Sequence, residues 1–157
     1  MPYESGTIIP SSFTFEEISI GKTFKLSHTV TLEDVMSFAK LTGDYNPLHV
    51  DSSFAERTTF GKQVVHGMLT ASFVSTIIGM LIPGPGSLWL SQTIQFSKPT
   101  FIGDDITVIA KVKAKSNSTR TISLEINIFN QNKEKLISGE STVRMLDVIG
   151  KKKRILQ

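Results

Sequence analysis

From Gln63 to Ser97 the chain carries no Asp, Glu, Lys or Arg. The apolar part of this stretch, Val64 to Ile82, is 19 residues long, close to what a helix needs to cross a bilayer. Yet it contains His66, Thr70, Ser72, Ser75 and Thr76, and Pro83-Gly84-Pro85-Gly86 stops it sharply. A helix that is apolar nearly all round is equally suited to burial inside a water-soluble domain. The polar residues and the abrupt stop favour burial, so residues 67–82 are expected to form a central helix rather than a membrane span.

The second half of the chain supplies what would cover such a helix. In residues 104–116, Ile106, Val108, Ala110, Val112 and Ala114 alternate with Thr107, Lys111, Lys113 and Lys115. In residues 120–130, Ile122, Leu124, Ile126 and Ile128 alternate with Thr121, Ser123, Glu125 and Asn127. A period of two marks strands with one buried face, and residues 116–119 and 130–133 have turn composition. Residues 88–97, 136–146 and 23–30 read as further strands. Thr31 followed by Asp34 reads as a helix cap, after which Leu32, Val35, Phe38, Ala39 and Leu41 form a stripe at helical spacing. The economical solution is α+β: a single domain over residues 1–150, its antiparallel sheet wrapped around a long central apolar helix, with a basic tail at 151–157. The free sheet edge makes a homodimer the expected assembly.

Composition narrows the function classes. With 157 residues, 39% hydrophobic and 20% charged, the chain is long enough for one domain with a real core. It contains no cysteine, which removes disulfide scaffolds, cysteine-ligated metals and cysteine nucleophiles together and fits a reducing compartment. The net charge of +3 belongs to the tail. Lys151, Lys152, Lys153 and Arg154 hold four of the 17 basic side chains, so the remaining 13 face 14 acids, about −1. Nucleic acid is therefore not an expected partner. Residues 1–20 carry Glu4, Glu16 and Glu17 and lack a basic start with an apolar run, so a cytoplasmic location is expected.

Of the three histidines, His28 has no acidic neighbour in sequence and reads as structural. His49 ends the run Leu41-Thr42-Gly43-Asp44-Tyr45-Asn46-Pro47-Leu48-His49. Each residue type in it suits a loop after the first helix, with Gly43 as stop, Asp44 and Asn46 capping backbone groups and Pro47 stiffening the chain. The same residues also suit catalysis. Asn46, before proline, is pushed toward an extended conformation, and a rigid loop then holds Asp44 and His49 around one water. A carboxylate and an imidazole so placed can take a proton from water and return one to substrate, typically worth about 10²–10⁴-fold in rate. His66-Gly67-Met68 opens the central helix. It is either a tight corner capped by His66 or an oxyanion hole, in which the free N–H of Gly67 meets a substrate carbonyl with no side chain in the way.

Taken together, Thr42-Gly43-Asp44-Tyr45-Asn46-Pro47-Leu48-His49, Phe54-Ala55 and Val65-His66-Gly67-Met68-Leu69 resemble the MaoC-like, or (R)-specific enoyl-CoA hydratase, family of the hot-dog fold. Phe15-Glu16-Glu17-Ile18, Pro83-Gly84-Pro85-Gly86, Phe96-Ser97-Lys98-Pro99 and Gly103-Asp104 extend the resemblance over nearly the whole chain. It implies reversible addition of water to a trans-2-enoyl-CoA to give a (3R)-3-hydroxyacyl-CoA, with Asp44 and His49 activating the water and the Gly67 N–H polarising the thioester carbonyl. Asn46 would support the loop, and His66 would shape the helix start. The acyl chain would pass Ala71, Ser75 and Ile78, although packing against the sheet explains those three equally well. The resemblance implies no metal and no redox cofactor, only coenzyme A or an acyl carrier protein as the carrier of the thioester. The same-fold alternative is a (3R)-3-hydroxyacyl-acyl-carrier-protein dehydratase. The alternative of a different class is a non-catalytic acyl-thioester or anion-binding module using the basic tail.

Overall fold

A computed structural model describes residues 8–146; the tail at 151–157 and the boundary at 150 lie outside the described residues. The alternating segments form one five-stranded antiparallel sheet from β1 (Thr23–Thr29), β2 (Ser87–Phe96), β3 (Asp105–Ser116), β4 (Thr121–Phe129) and β5 (Lys135–Met145). Their order across the sheet is β1-β3-β4-β5-β2. The inward face carries Ile106, Val108, Ala110, Val112, Ile122, Leu124, Ile126 and Ile128, each at most 1% exposed. Ala114 departs from the expected alternation and lies exposed. The β3–β4 register shifts between Val112 and Ala114, and one extra residue in a strand turns the following side chains to the other face.

Four helices sit on the apolar face: α1 (Leu32–Thr42), α2 (Pro47–Val50), α3 (Ser52–Glu56) and α4 (Gly67–Thr76). α1 begins with a full capping box, Thr31 accepting from the Asp34 N–H and Asp34 accepting from the Thr31 N–H. Its expected stripe is narrower than the spacing suggests. Val35 and Ala39 are buried and Phe38 half-buried, but Leu32 is 50% and Leu41 84% exposed, because α1 rests on the rim of the core. His28 also differs from expectation. Its Nε2 lies 2.8 Å from Asp34 Oδ2, so the carboxylate that caps α1 doubles as partner for the β1 imidazole, and the His28 ring packs on Phe73.

The central helix is α4, continued by a single π-wound turn, Ile77–Leu81. Leu69, Ala71, Val74, Ile77 and Ile78 enter the core. Both edge strands, β1 and β2, touch the same π turn. A flat five-stranded sheet would hold its edges roughly 19 Å apart, so the sheet must curl around the helix. This is the hot-dog arrangement. The wrapping leaves one strip of α4 open, formed by Met68, Ser72 and Ser75. No helix among the described residues is long and apolar enough to cross a membrane.

Candidate active site

The site forms where α1 ends, α2 begins and α4 starts. α1 stops at Gly43, whose φ of 79° lies in the left-handed region that glycine enters freely, and its N–H closes on the Ala39 carbonyl at 2.8 Å. Side chains then fold the next residues back on themselves. Asp44 Oδ1 accepts from the Asn46 N–H at 3.2 Å, and Asn46 Oδ1 accepts from the Leu48 N–H at 3.1 Å. Asn46 takes φ −54° and ψ 125°, out of the helical region as a residue before proline must be, and Pro47 opens α2. The segment expected as a loop is thus a linker of four residues leading into two short helices.

His49 is fixed from both sides. Its Nδ1 lies 2.6 Å from the Val64 carbonyl oxygen, and its own carbonyl accepts from Gln63 Nε2 at 2.8 Å. A carbonyl only accepts, so Nδ1 carries the ring proton and Nε2 presents a lone pair. This is the tautomer a base needs. The Val64 carbonyl and the Gln63 amide had no signal in the sequence, because backbone partners leave no mark on residue type.

His66 occupies the N-cap position of α4 without making a side-chain cap bond. Its ring is 2% exposed and turns the other way, Nε2 donating to the Asp44 carbonyl at 3.0 Å and lying 3.8 Å from Asp44 Oδ2. The capping role is therefore replaced by a tie that fixes Asp44 onto the start of α4. The rings of His49 and His66 stand 4.0 Å apart, with Phe38 closing the far side of His66 at 5.1 Å. One polar atom each from Asp44, His49 and His66 lies within 4.8 Å of the other two. That spacing suits metal ligands and a proton-transfer pair alike: Nδ1 of His49 and Nε2 of His66 are bonded to backbone carbonyls, which leaves one ring nitrogen on each histidine. The Asp44 side chain is 52% exposed, so water reaches it directly.

Gly67 is the first residue of α4, where the N–H has no partner within the helix. A Cβ at this position would stand 2.8 Å from Cε1 of Phe96, so the ring of a β2 residue occupies the space where a side chain would be. Two grooves lie near this helix start, and Gly67 lines the first of them. One, of 300 Å³, is lined by His49, Gly67, Phe96, Ser97, Lys98 and Thr100 among others. The other, of 610 Å³, runs between α4 and β2 past Phe38, Met68, Ala71, Ser75, Trp89 and Ile94. The structure thus brings Asp44, His49, His66 and Gly67 together and sets Ala71 and Ser75 along the second groove. Ile78 lines neither groove; it is 3% exposed and packs in the core.

A curled antiparallel sheet around one helix, with an aspartate and two histidines gathered at the helix start, defines a hot-dog domain with a polar site at its helix N-terminus. Comparison with known proteins gives the family. The MaoC-like domain family model matches residues 16–133, and the chain belongs to that family. It is 36% identical over 130 residues to an (R)-specific enoyl-CoA hydratase of Aeromonas caviae, covering 83% of this chain and 97% of the relative. A mitochondrial 3-hydroxyacyl-acyl-carrier-protein dehydratase of Solanum lycopersicum is 34% identical over 88% of this chain and 84% of its own length. Among solved structures, the (R)-hydratase of A. caviae superposes with a TM-score of 0.81 at 36% identity, over 83% of this chain and 99% of that one.

Proposed function

We propose that this protein is an (R)-specific enoyl-CoA hydratase, a hydro-lyase that adds water reversibly to a trans-2-enoyl thioester to give the (3R)-3-hydroxyacyl thioester. The observation that carries the reading is the His49 tautomer: Nδ1 is pinned to the Val64 carbonyl, which leaves Nε2 as an acceptor in a ring that has a nitrogen within 4.8 Å of an Asp44 carboxylate oxygen. The A. caviae relative, named for this activity, supports the same substrate class.

The geometry supports the following course of reaction. The thioester carbonyl docks on the Gly67 N–H at the positive end of α4, which draws electron density from C3 of the conjugated system. A water held between Asp44 and His49 loses one proton to them as its oxygen bonds to C3. The π electrons move to the carbonyl oxygen as an enolate, and C2 then takes a proton from the same pair, so one water is consumed and none of its atoms is lost. Asn46 holds the linker, and His66 holds the Asp44 backbone. Ala71 and Ser75 give room for the acyl chain in the 610 Å³ groove, and Ile78 supports the helix from inside the core. No metal or redox group enters these steps, because the thioester itself activates C3 and acidifies C2.

The assembly belongs to the same reading. β2 is an edge strand with Leu88 47%, Trp89 36%, Leu90 50% and Phe96 52% exposed, and the larger groove opens along it. A second copy paired at this edge would cover these side chains and close the groove, so the active form is a homodimer. A cytoplasmic setting accords with the cysteine-free sequence. The tomato relative favours one further comparison, that of CoA with carrier-protein thioesters. Turnover confined to the carrier-protein thioester would assign the dehydratase role instead. The direct test of the chemistry is His49→Ala in a folded dimer, where loss of the base lowers kcat by about 10²–10⁴-fold. Near wild-type hydration would contradict the proposal.

A further inference from the structure

The 300 Å³ groove that begins at His49 and Gly67 leaves the site past Phe96 and Lys98. It does not end there. A separate, polar hollow of 350 Å³ shares Lys98 and Pro99 with it, and its walls add Lys62, Phe101, Asn130 and Glu134. The second hollow thus adjoins the first across Lys98 and Pro99 and carries two lysines on its wall. The groove along α4 and β2 is apolar and suits an acyl tail, which leaves this side of the site for the other half of a thioester, an amide-bearing arm that ends in a phosphate.

Each lysine contacts a neighbour on the wall of the hollow, and of the two acids there Asp104 is already satisfied. Lys62 Nζ lies 4.0 Å from the centre of the Phe101 ring, and Lys98 Nζ lies 2.5 Å from Glu134 Oε1. Asp104, on the same hollow, spends its charge inward, accepting from the Phe101 N–H at 2.9 Å and from Gln131 Nε2 at 3.0 Å. Glu134 is the one carboxylate that competes with an arriving anion. Its pair with Lys98 is solvent-exposed and therefore weak, and Asn130 Nδ2 at 2.9 Å keeps Glu134 partnered when Lys98 turns away. Two ammonium groups on flexible stems at the mouth of a narrow groove are the means by which a mobile phosphate is recognised as a point charge.

We infer that Lys62 and Lys98 form the subsite for the phosphate of the phosphopantetheine arm, the group that coenzyme A and an acyl carrier protein have in common. This deepens the acyl-thioester reading above and rests on it. The assignment makes two predictions about affinity: it depends on the phosphate nearest the pantetheine, and it weakens with salt as an exposed ion contact does.

The test is binding of saturated thioesters, which cannot be hydrated, to the full-length protein by titration calorimetry. The ligands are butyryl-pantetheine, butyryl-4′-phosphopantetheine and butyryl-CoA. For the double variant Lys62→Gln/Lys98→Gln, the account expects a Kd raised about tenfold or more for both phosphorylated ligands, with a shallower salt dependence and a much smaller change for butyryl-pantetheine. A control double variant, Lys25→Gln/Lys111→Gln on β1 and β3, removes the same net charge elsewhere. Equal losses in control and test, a Kd within twofold of wild type, a loss confined to butyryl-CoA, or no binding of phosphorylated ligand by wild type would each overturn the inference. A wild type that hydrates crotonyl-CoA while the lysine variant binds normally sinks only the subsite. A wild type that binds through the lysines but hydrates nothing sinks only the hydratase reading.

Discussion

At the scale of single residues, the proposed function rests on a few backbone contacts that fix side-chain chemistry. The Val64 carbonyl sets the His49 tautomer, and His66 secures Asp44 through its carbonyl rather than its carboxylate. Gly67 is the least replaceable. In Gly67→Ala the N–H survives, but the new methyl meets the Phe96 ring at 2.8 Å, and either the ring or the helix start must move. Because a displaced oxyanion donor can cost about 10²–10³ in rate, steady-state kinetics should show kcat reduced at least tenfold while the protein stays folded. Unchanged kcat would mean the carbonyl docks elsewhere. Asp34 makes a separate, pH-dependent prediction. Its burial raises the carboxyl pKa, but the Thr31 N–H and the His28 and Thr31 side chains outweigh this, and the net shift is downward. A carboxylate with a lowered folded pKa stabilises the fold above the ordinary carboxylate range, and that stability is lost as pH falls through the folded value. Denaturant titration of Asp34→Asn should therefore show a deficit of about 1 kcal/mol at pH 7 that shrinks below about pH 4. A deficit independent of pH would remove the ionic contribution.

At the scale of elements, the period-two pattern and the uncharged stretch made the architecture legible before any coordinates. All five strands lie close to the segments expected, and in β3 and β4 the alternation marks them directly, since burial on one face of a sheet writes itself into sequence. What failed to show has physical reasons. Ala114 falls on the outer face because a register shift adds a residue that no periodicity reveals. Leu32 and Leu41 look like core residues by spacing, but the rim position of α1 buries only a narrow stripe. Asp34 reaches His28 across the β1–α1 corner, a contact made by chain geometry rather than by composition. The grouping of Asp44, His49 and Gly67 was legible through the motif resemblance, since the residue types alone suited an ordinary loop and a tight helix corner as well. The walls of the site were not, since Phe96, Trp89 and Ile94 come from β2 and arrive only through the curl of the sheet. The helix face sorts in the same way. Ile78→Ala removes a core side chain and should cost about 2–5 kcal/mol in a thermal or denaturant unfolding measurement. An altered acyl-length preference without that loss would instead place Ile78 on the groove wall.

At the scale of the whole molecule, the open edge and the open groove are one feature. β2 presents its exposed apolar side chains beside the groove proposed to accept the acyl chain, so the proposed dimer would couple assembly to activity. Leu90→Lys places a charge on the edge, a device that blocks strand pairing. Light scattering should show a shift from dimer to monomer, and hydration should fall with it. A monomer of full activity would separate the two. The central claim is the chemistry itself, and one assay reaches it most directly: the absorbance of the conjugated enoyl thioester of crotonyl-CoA near neutral pH, followed with wild type and with Asp44→Asn. The account predicts loss of the signal with wild type, at least about 10²-fold slower loss with the variant, and a product oxidised by a (3R)-specific dehydrogenase. Equal rates for the two proteins, or a stable signal with wild type across acyl lengths and carriers, would contradict it.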